Sequence, residues 1–334
     1  MEKPIILTGD RPTGPLHLGH YAGSLLNRIE FQDSHCQYIL VADMQALTDN
    51  SANPNKVTEN VLEVVKDYLA VGIDPKKTKI VLQSQVPDIA LLSMIFSNLV
   101  SVARVERNPT VKQEVRQKGF NHEVPMGFFS YPVSQAADIA AFRATVVPVG
   151  EDQKPMVELT NEIVHRFNTT YGSDVFCKAD AIIPKYGRLP GVDGKAKMSK
   201  SLGNGIQLNA SADEISKAVK KMYTDPNHLK VEDPGTVEGN VVFSYLSAFD
   251  PNQSEVEQLK EHYRRGGLSD SKIKKRLNEV LQELLEPIRE RRCQLDQDIS
   301  YVRQVIQEGT EEGLDAVSRT MKDVRSAIGI NYWM

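Results

Sequence analysis

Short apolar runs alternate with helix-like patterns through the first 190 residues of this 334-residue chain. Runs rich in Ile, Leu and Val predict buried strands at residues 5–8, 37–42, 79–83 and 146–149. Apolar residues at steps of three and four predict helices between or after them, at residues 19–29, 57–70, 89–99, 134–142 and 155–168. This alternation predicts an α/β fold with a doubly wound parallel sheet.

The pattern changes at two places further along the chain. Residues 86–129 interrupt the alternation of strand and helix. After Asn204 strand patterns nearly vanish, and helices are predicted at residues 212–223, 255–264, 269–286, 296–307 and 314–328. We therefore expect two domains, at residues 1–200 and 204–334, with the last helix a candidate for packing back on the first domain.

Composition limits the cellular setting and the chemistry. No stretch approaches ~18 uninterrupted apolar residues, and the amino terminus lacks a basic segment followed by an apolar run. We therefore expect neither a membrane span nor a secretory signal, and a cytoplasmic location. The three cysteines are odd in number and widely spaced, which favours reduced thiols and gives no zinc-ligand spacing.

A tetrapeptide with two histidines, His17-Leu18-Gly19-His20, follows the first predicted strand and a loop rich in Gly and Pro. A loop between a parallel strand and its helix presents backbone N–H groups to one place, where the helix dipole favours anions. Two imidazoles there are able to donate hydrogen bonds to phosphoryl oxygens, and Gly19 leaves room for a flat ring. The alternative is a pair of surface histidines in a turn.

A second candidate phosphate-binding segment, Lys197-Met198-Ser199-Lys200-Ser201, lies far downstream within a Gly- and Lys-rich loop. Alone it is typical of a solvated basic loop. Lysine ammonium groups on a segment able to close are also what a mobile phosphate clamp requires. The two segments together therefore indicate a protein that handles ATP phosphates.

These two segments, in this order, resemble those of the class I aminoacyl-tRNA synthetases. Five stretches along nearly the whole chain are together similar to the bacterial tryptophanyl-tRNA synthetases: residues 13–20, 41–43, 136–139, 147–153 and 196–201. The resemblance implies a Rossmann-like catalytic domain with a connecting insertion at about residues 86–129, where related enzymes form their dimer contact. It also implies a mobile loop at residues 193–203 and a helical anticodon-binding domain at residues 204–334.

The activity that this resemblance implies is ATP-dependent activation of L-tryptophan to tryptophanyl-adenylate, with transfer to tRNA(Trp) and release of pyrophosphate and AMP. The implied catalytic residues are His17, His20, Lys197, Ser199 and Lys200. The implied ATP-binding residues are Arg11, Thr13, Gly19, His20, Gly150, Asp152, Gln153, Lys197, Met198 and Lys200. Magnesium would supply a further cation, and no metal site made by the protein is predicted. Helix capping is an alternative role for Asp152.

The expected amino-acid pocket consists of Leu7, Asp43, Gln45, Gln135, Asp138, Val147 and Val149. An ionised Asp138 accepts a hydrogen bond from an indole N–H or a phenol O–H, so the physics alone does not choose between tryptophan and tyrosine. The resemblance favours tryptophan, because residues 147–153 have the pattern of the tryptophan enzymes. Gln135 departs from the methionine of some bacterial members and is similar to the tyrosine enzymes. Asp43 has the alternative role of capping a turn.

Three other functions remain open from the sequence. One is a tyrosyl-tRNA synthetase. Another is a nucleotidyltransferase, which shares a His-x-Gly-His loop but does not need residues 136–138, the turn at 149–153 or a helical domain. The last is a non-catalytic, synthetase-like binding protein. The net charge of -4 opposes RNA binding, but basic clusters at residues 264–265, 272–276 and 289–292 offset it locally.

Overall fold

A parallel sheet forms the centre of the computed structural model, which describes residues 3–120, 123–183, 189–199 and 202–332. Within these ranges its strands are β1 Ile5–Asp10, β2 Cys36–Val41, β3 Thr78–Leu82, β4 Val146–Pro148 and β5 Asp180–Ile182. They pair in the order β3-β2-β1-β4-β5, all parallel. The order reverses at β1, so a crevice opens at the carboxyl ends of β1 and β4, where doubly wound sheets bind ligands.

Helices flank the sheet and make up most of the chain after residue 204. They are α1 Leu18–His20, α2 Leu26–Phe31, α3 Asp43–Asn50, α4 Pro54–Val71, α5 Pro87–Ser97, α6 Val102–Glu106, α7 Pro109–Lys118, α8 Met126–Ala141, α9 Lys154–Tyr171, α10 Ala212–Lys221, α11 Val241–Phe249, α12 Gln253–Arg265, α13 Asp270–Gln297 and α14 Ile299–Ile328. A π-helical turn, Tyr21–Leu25, joins α1 to α2, and 3-10 turns occupy Gln83–Gln85 and Glu151–Gln153. None of the helices among the described residues has the length and apolar character to cross a membrane. The α/β class predicted from the sequence is confirmed.

The predicted strands agree with β1 to β4 to within two residues at each end. The sequence did not predict β5, because this strand is only three residues long and its side chains are half-buried or exposed. Such a strand lacks the apolar run on which the prediction depends. It pairs with β4 and extends the sheet on the side opposite β3.

Two helices contain prolines that lie just outside the helices predicted from the sequence. The predicted helix at 134–142 begins at Met126 and contains Pro132, and the predicted helix at 269–286 continues past Pro287 to Gln297. A proline inside a helix removes one backbone hydrogen bond, which packing on a buried face offsets here. Both prolines are flanked by buried apolar residues of these helices.

Alternate residues of β2 enter two different apolar cores. Ile39 and Val41 belong to the core that includes α4, α11 and α13, whereas Tyr38 and Leu40 belong to the core that includes α5, α8 and α9. Successive side chains of a strand point to opposite faces, so one strand serves both layers. The sheet is therefore covered on both sides, as a parallel sheet requires.

The last helix, α14, lies along the edge strand β3. A Cβ atom built on Gly309 would lie 2.4 Å from the carbonyl oxygen of Ile80, and one on Gly313 would lie 2.9 Å from the Val81 side chain. The Thr310 hydroxyl accepts a hydrogen bond of 3.0 Å from the Leu82 N–H. The helix thus covers the exposed edge of the sheet and pairs one of its backbone donors. The sequence had divided this helix at residues 308–313, which include both glycines.

We predict that Gly309→Ala destabilises the fold. Ala normally stabilises a helix interior relative to Gly by about 0.5–1 kcal/mol. Here the new methyl group would enter the backbone of β3, so we expect a net loss of about 1–3 kcal/mol. Urea unfolding followed by circular dichroism measures it. The matched control is Ser318→Ala on the exposed face of the same helix, which should change stability by less than about 0.5 kcal/mol. A Gly309→Ala variant as stable as the wild type would show that α14 is free to move away from β3.

Candidate functional site

A cavity of about 1130 Å³ opens at the carboxyl ends of β1 and β4. The predicted site residues that line it are Leu7, Arg11, Thr13, His17, Gly19, His20, Gln45, Gln135, Asp138, Val147, Val149, Gly150, Asp152, Gln153, Lys197, Met198 and Ser199. Lys200 lies outside the described residues. The remaining predicted residue, Asp43, is not among the described residues of the cavity wall. Residues separated by as many as 192 positions in sequence, from Leu7 to Ser199, thus meet around one space.

The first histidine of the tetrapeptide is an N-cap. His17 has an extended backbone, and its Nδ1 accepts a hydrogen bond of 3.1 Å from the Gly19 N–H. The His20 Nδ1 accepts one of 3.2 Å from the His17 N–H, which completes a reciprocal capping box. With Nδ1 as an acceptor, each neutral ring carries its proton on Nε2. The two ring centroids are 3.8 Å apart, and a π-helical turn, a feature frequent at functional sites, follows directly.

The second signature segment lies directly against the first. The Gly19 N–H is 3.2 Å from the Met198 sulfur, and Met198 is buried. Backbone hydrogen bonds continue the contact, from the Leu18 N–H to the Ile206 carbonyl at 2.9 Å and from the Leu208 N–H to the Leu16 carbonyl at 3.0 Å. A Cβ atom on Gly19 would lie 2.9 Å from the His17 ring and 3.3 Å from the sulfur, so only glycine fits between them.

Asn204 organises the loop that carries Lys197 and Ser199. Its buried side-chain oxygen accepts a hydrogen bond of 2.9 Å from the Ser199 N–H, and its amide donates to the Lys197 carbonyl at 3.3 Å. A Cβ atom on Gly191 would overlap the Asn204 amide, so the loop requires a glycine there. Sequence reasoning treated Asn204 as a domain boundary and missed this role. Its role follows from its burial, and the sequence carries no periodic signal for the burial of one loop residue.

Asp138 lines the cavity and is almost completely buried, with 3% of its surface exposed. The Gln45 side-chain amide donates to Oδ2, and the Gln83 side-chain amide donates to Oδ1 at 2.8 Å. Burial raises the pKa of Asp138 to about 7, although both amide donors act in the opposite direction. Gln83 also accepts a 3.1 Å hydrogen bond from the Gln45 N–H, so it fixes both partners. Gln83 follows β3 without a motif, so it was not predicted.

Asp43 does not reach the cavity wall. Its Oδ1 accepts hydrogen bonds from the backbone N–H groups of Met44 at 3.0 Å and Ser84 at 2.9 Å. It therefore ties the start of α3 to the turn after β3, which is the capping alternative that the sequence left open. The described cavity wall does not include Asp43, and its place in the amino-acid pocket stays a prediction.

Helix α7, within residues 86–129, supplies one side of the cavity. The Thr110 hydroxyl, on α7, donates to the Asp152 carbonyl at 2.6 Å, and Asn108 donates to the Pro155 carbonyl at 3.0 Å. These hydrogen bonds hold the turn after Gly150 against α7. Further residues of α7 that line the cavity are Gln113, Glu114 and Gln117. None of these α7 residues was predicted, because charged and polar helix residues are usually solvated.

Two ion pairs that sequence reasoning missed also border the cavity. Arg28 is 2% exposed, and it donates to Asp10 at 2.7 Å while the Tyr68 hydroxyl donates to the same oxygen at 2.7 Å. Burial, with the neighbouring Asp10 carboxylate, raises the pKa of Tyr68 far above its usual value. On the outer side, Arg11 is 3.0 Å from Asp49. Lys118 of α7 also lies 3.0 Å from that carboxylate.

Comparison with known proteins agrees with this geometry. Residues 1–286 match the family model described as "tRNA synthetases class I (W and Y)". The chain is 56% identical over 337 residues to a tryptophan–tRNA ligase of Clostridium longisporum, covering 100% of this chain and 99% of that protein. It is 54% identical over 340 residues to one from Streptococcus pyogenes serotype M3, covering both chains fully.

Solved structures agree as well. A crystal structure of the tryptophanyl-tRNA synthetase from Campylobacter jejuni complexed with ADP and tryptophan superimposes with a TM-score of 0.84 at 30% identity, covering 97% of this chain and 99% of that one. The tyrosyl-tRNA synthetase from Archaeoglobus fulgidus shares the fold, with a TM-score of 0.69 at 23% identity. The chain therefore belongs to the class I tRNA synthetases for tryptophan and tyrosine, and within them to the bacterial tryptophan–tRNA ligases.

Proposed function

We propose that this chain activates L-tryptophan with ATP and transfers it to tRNA(Trp). The tryptophan carboxylate attacks the α-phosphate of ATP, which forms tryptophanyl-adenylate and releases pyrophosphate. A terminal hydroxyl of the tRNA then attacks the acyl carbon, which forms the ester and releases AMP. The observation that carries the proposal is the 3.2 Å contact between Gly19 and Met198, which brings both phosphate-binding segments to the cavity that contains Asp138.

The phosphate end requires positioning and positive charge rather than a nucleophilic side chain. The Nε2–H groups of His17 and His20 are donors of the kind that phosphoryl oxygens accept. Lys197 and Ser199 line the same space from the opposite segment, and Lys200 continues that segment in sequence. An ammonium that follows the departing pyrophosphate stabilises charge that develops in the transition state.

Magnesium fits this site as a partner of the ATP phosphates. Among the residues that the structure describes, no group of three or more His, Cys, Asp or Glu side chains is arranged to hold a metal ion. Mg²⁺ usually keeps several waters and binds through substrate phosphates. When bound with the nucleotide, Mg²⁺ would supply positive charge in addition to that of Lys197.

The amino-acid end distinguishes aromatic substrates by hydrogen bonding. Asp138 accepts the indole N–H, and the apolar side chains of Leu7, Val147 and Val149 line the same cavity. Gln135 lines it too and is suited to the substrate ammonium group through its side-chain oxygen. Phenylalanine would leave the buried Asp138 without a substrate donor, and mismatches of this kind reduce specificity constants by about 10⁴ or more.

The helical part would bind tRNA. We propose a catalytic domain at residues 1–200 and an anticodon-binding domain at 204–334, with a signature loop at 193–203 that closes on ATP. The basic clusters of the helical part contribute only partly to its positive surface, because Arg264, Arg276 and Arg292 form ion pairs with acidic residues of the same chain. The exposed lysines at 272 and 275 are the better candidates for phosphate contacts.

We also propose that the enzyme acts in the cytoplasm as a homodimer. Large apolar side chains of α5, α6 and α8 are exposed, namely Leu91, Met94, Val102 and Met126. Met94 is 66% exposed and Met126 is 72% exposed, and several large apolar side chains exposed within one segment are typical of a protein–protein contact. These residues lie in the connecting segment at 86–129, so a second copy of the chain packed there would cover them.

Pyrophosphate–ATP exchange with purified protein tests the proposed reaction. We expect exchange with tryptophan, and exchange with phenylalanine lower by about 10⁴ or more, because that ring has no donor for Asp138. Tyrosine tests the nearest alternative, since its hydroxyl is a donor. Exchange with tyrosine alone would assign the chain to the tyrosine enzymes, and exchange with no amino acid would favour a non-catalytic binding protein.

We predict that tryptophan affinity rises with pH. The pKa of Asp138 is raised to about 7, and only the ionised form offers both oxygens as acceptors. The ionised fraction falls about tenfold from pH 8 to pH 6, so the binding constant should fall by the same factor. Equilibrium dialysis with labelled tryptophan measures it without ATP. In Asp138→Asn the binding constant should no longer depend on pH. If that variant kept the pH dependence of the wild type, another group would control binding.

We predict that Lys197→Ala lowers the rate of tryptophan activation by about 10²-fold and leaves ATP affinity nearly unchanged. The reason is that its ammonium acts mainly on charge that develops as pyrophosphate leaves. Single-turnover kinetics and ATP titration separate the two effects. Lys195→Ala is the matched control, because Lys195 lies two residues away in the same loop, is exposed and is not part of the described cavity wall. Equal losses in the two variants would contradict a specific role for Lys197.

A further inference from the structure

A chain of buried charged side chains connects α13 with the backbone beside the histidine tetrapeptide. Arg292, near the end of α13, donates from Nη1 to Asp67 Oδ1 on α4 at 2.8 Å. The other oxygen of Asp67, Oδ2, accepts a hydrogen bond of 2.7 Å from the Leu16 N–H. Leu16 directly precedes His17, so two side-chain contacts join α13 to the phosphate-binding loop.

Burial makes this connection rigid. Arg292 is 4% exposed, Asp67 is 1% exposed and Leu16 is fully buried. A buried carboxylate held by a guanidinium has a strongly preferred geometry, because both groups need their partners where water is absent. Arg292 also donates to the Glu63 carbonyl at 2.6 Å, which fixes its own position on α4. The orientation of Asp67, and with it that of the Leu16 amide, therefore depends on Arg292.

Leu16 is held from a second direction by the downstream segment. Its carbonyl accepts the 3.0 Å hydrogen bond from the Leu208 N–H, a few residues after the lysine signature. Its two backbone polar groups thus have partners on opposite sides, Asp67 and Leu208. Loss of the Asp67 contact would leave the downstream contact in place and allow His17 to shift relative to Lys197. Small shifts of this kind between positioned groups reduce rates strongly.

Other contacts join α13 to α4 without reaching the loop. The Arg291 guanidinium donates to the Ala70 carbonyl, and Lys66 lies between Glu63 and Asp296. Within the described part of the chain, none of these contacts involves the backbone at residues 16–20. They hold the two helices together. The pair of Asp67 and Arg292 is the contact between these helices that also reaches the histidine loop, through the Leu16 N–H.

We propose that Asp67 and Arg292 are positioning residues for the activation of tryptophan by ATP. Through these two side chains, the position of α13 in the helical part determines the position of the histidine loop. This inference rests on the proposed function only for its kinetic consequence. The structural part concerns the Leu16 amide alone. The two parts are tested separately.

Amide hydrogen exchange tests the structural part without any catalysis. In Arg292→Met the Leu16 amide should exchange at least about tenfold faster than in the wild type, because its acceptor is no longer fixed. Asp67→Asn should have the same effect, and Arg292→Lys, which keeps a cation near Asp67, should restore part of the protection. Mass spectrometry of a peptide covering residues 14–20 provides the measurement. Wild-type protection at Leu16 in both Arg292→Met and Asp67→Asn would overturn the proposal.

Kinetics test the catalytic part. Arg292→Met and Asp67→Asn should reduce kcat/KM for ATP in pyrophosphate exchange by about tenfold or more, while tryptophan affinity stays within about twofold. A general loss of structure would instead weaken both. Should Arg292→Met fail to fold, Asp67→Asn and Arg292→Lys carry the test. Equal losses for ATP and tryptophan in those variants would overturn the proposal.

The matched control is Arg325→Met. Arg325 on α14 pairs with Asp88 on α5, across a similar distance in sequence, and neither residue contacts the histidine loop in the described structure. This variant should lose stability but keep both Leu16 protection and kcat/KM for ATP. If it reproduces the effects of Arg292→Met, the positioning role is wrong. Absence of exchange in the wild-type protein would refute the proposed function, while Leu16 protection would still decide the structural part.

Discussion

The contact between residues 16–19 and the segment from Met198 to Leu208 is the constraint on which the rest of the site depends. A sulfur, two backbone hydrogen bonds and a glycine without a side chain hold two loops together that are about 180 residues apart in sequence. Neither loop alone surrounds a nucleotide. Their contact turns a strand-end crevice into a cavity with donors on two sides, and the proposed transfer of an adenylyl group requires such positioning.

Sheet topology explains why Asp138 and Val147 line the same cavity as this contact. The order reverses between β1 and β4, so the loops that leave these strands diverge and leave a space at their carboxyl ends. β1 delivers the histidine loop, and β4 delivers Val147 and the turn at Gly150. α8 crosses the same space and places Asp138 in it. The helix α14 stabilises the arrangement from far away, because it covers the edge strand β3 that carries Gln83 at its end.

Sequence reasoning recovered the parts of the structure that local pattern determines. The strands β1 to β4 are continuous apolar runs, and the two phosphate-binding segments have unusual residues at short spacing, so both were predictable. Gln83, Asn204 and Arg28 were not, since each is one polar residue outside any motif. The partners of Gln83 and Arg28 are 55 and 18 positions away, and those of Asn204 are backbone groups five and seven positions earlier in an irregular loop. Each of these residues acts through partners that it meets because it is buried. A single buried polar residue produces no periodic pattern from which its burial could be predicted. For Asp43 the sequence left two roles open, because a strand-end carboxylate serves a cap and a pocket equally well until its neighbours are known.

The two most buried carboxylates near the site have different hydrogen-bonding partners. These partners determine whether the carboxylate is fully paired within the protein or is able to accept a further donor. Asp67 faces a guanidinium and a backbone amide, so both of its oxygens are committed and its charge is compensated. Asp138 faces two neutral amides, which orient the carboxylate without cancelling its charge. Its pKa is accordingly raised to about 7, a cost in stability that a cationic partner would remove. A cationic partner would also compete with the substrate for the carboxylate lone pairs. Neutral donors therefore leave Asp138 able to accept an N–H from an uncharged ring, as the proposed recognition of tryptophan requires.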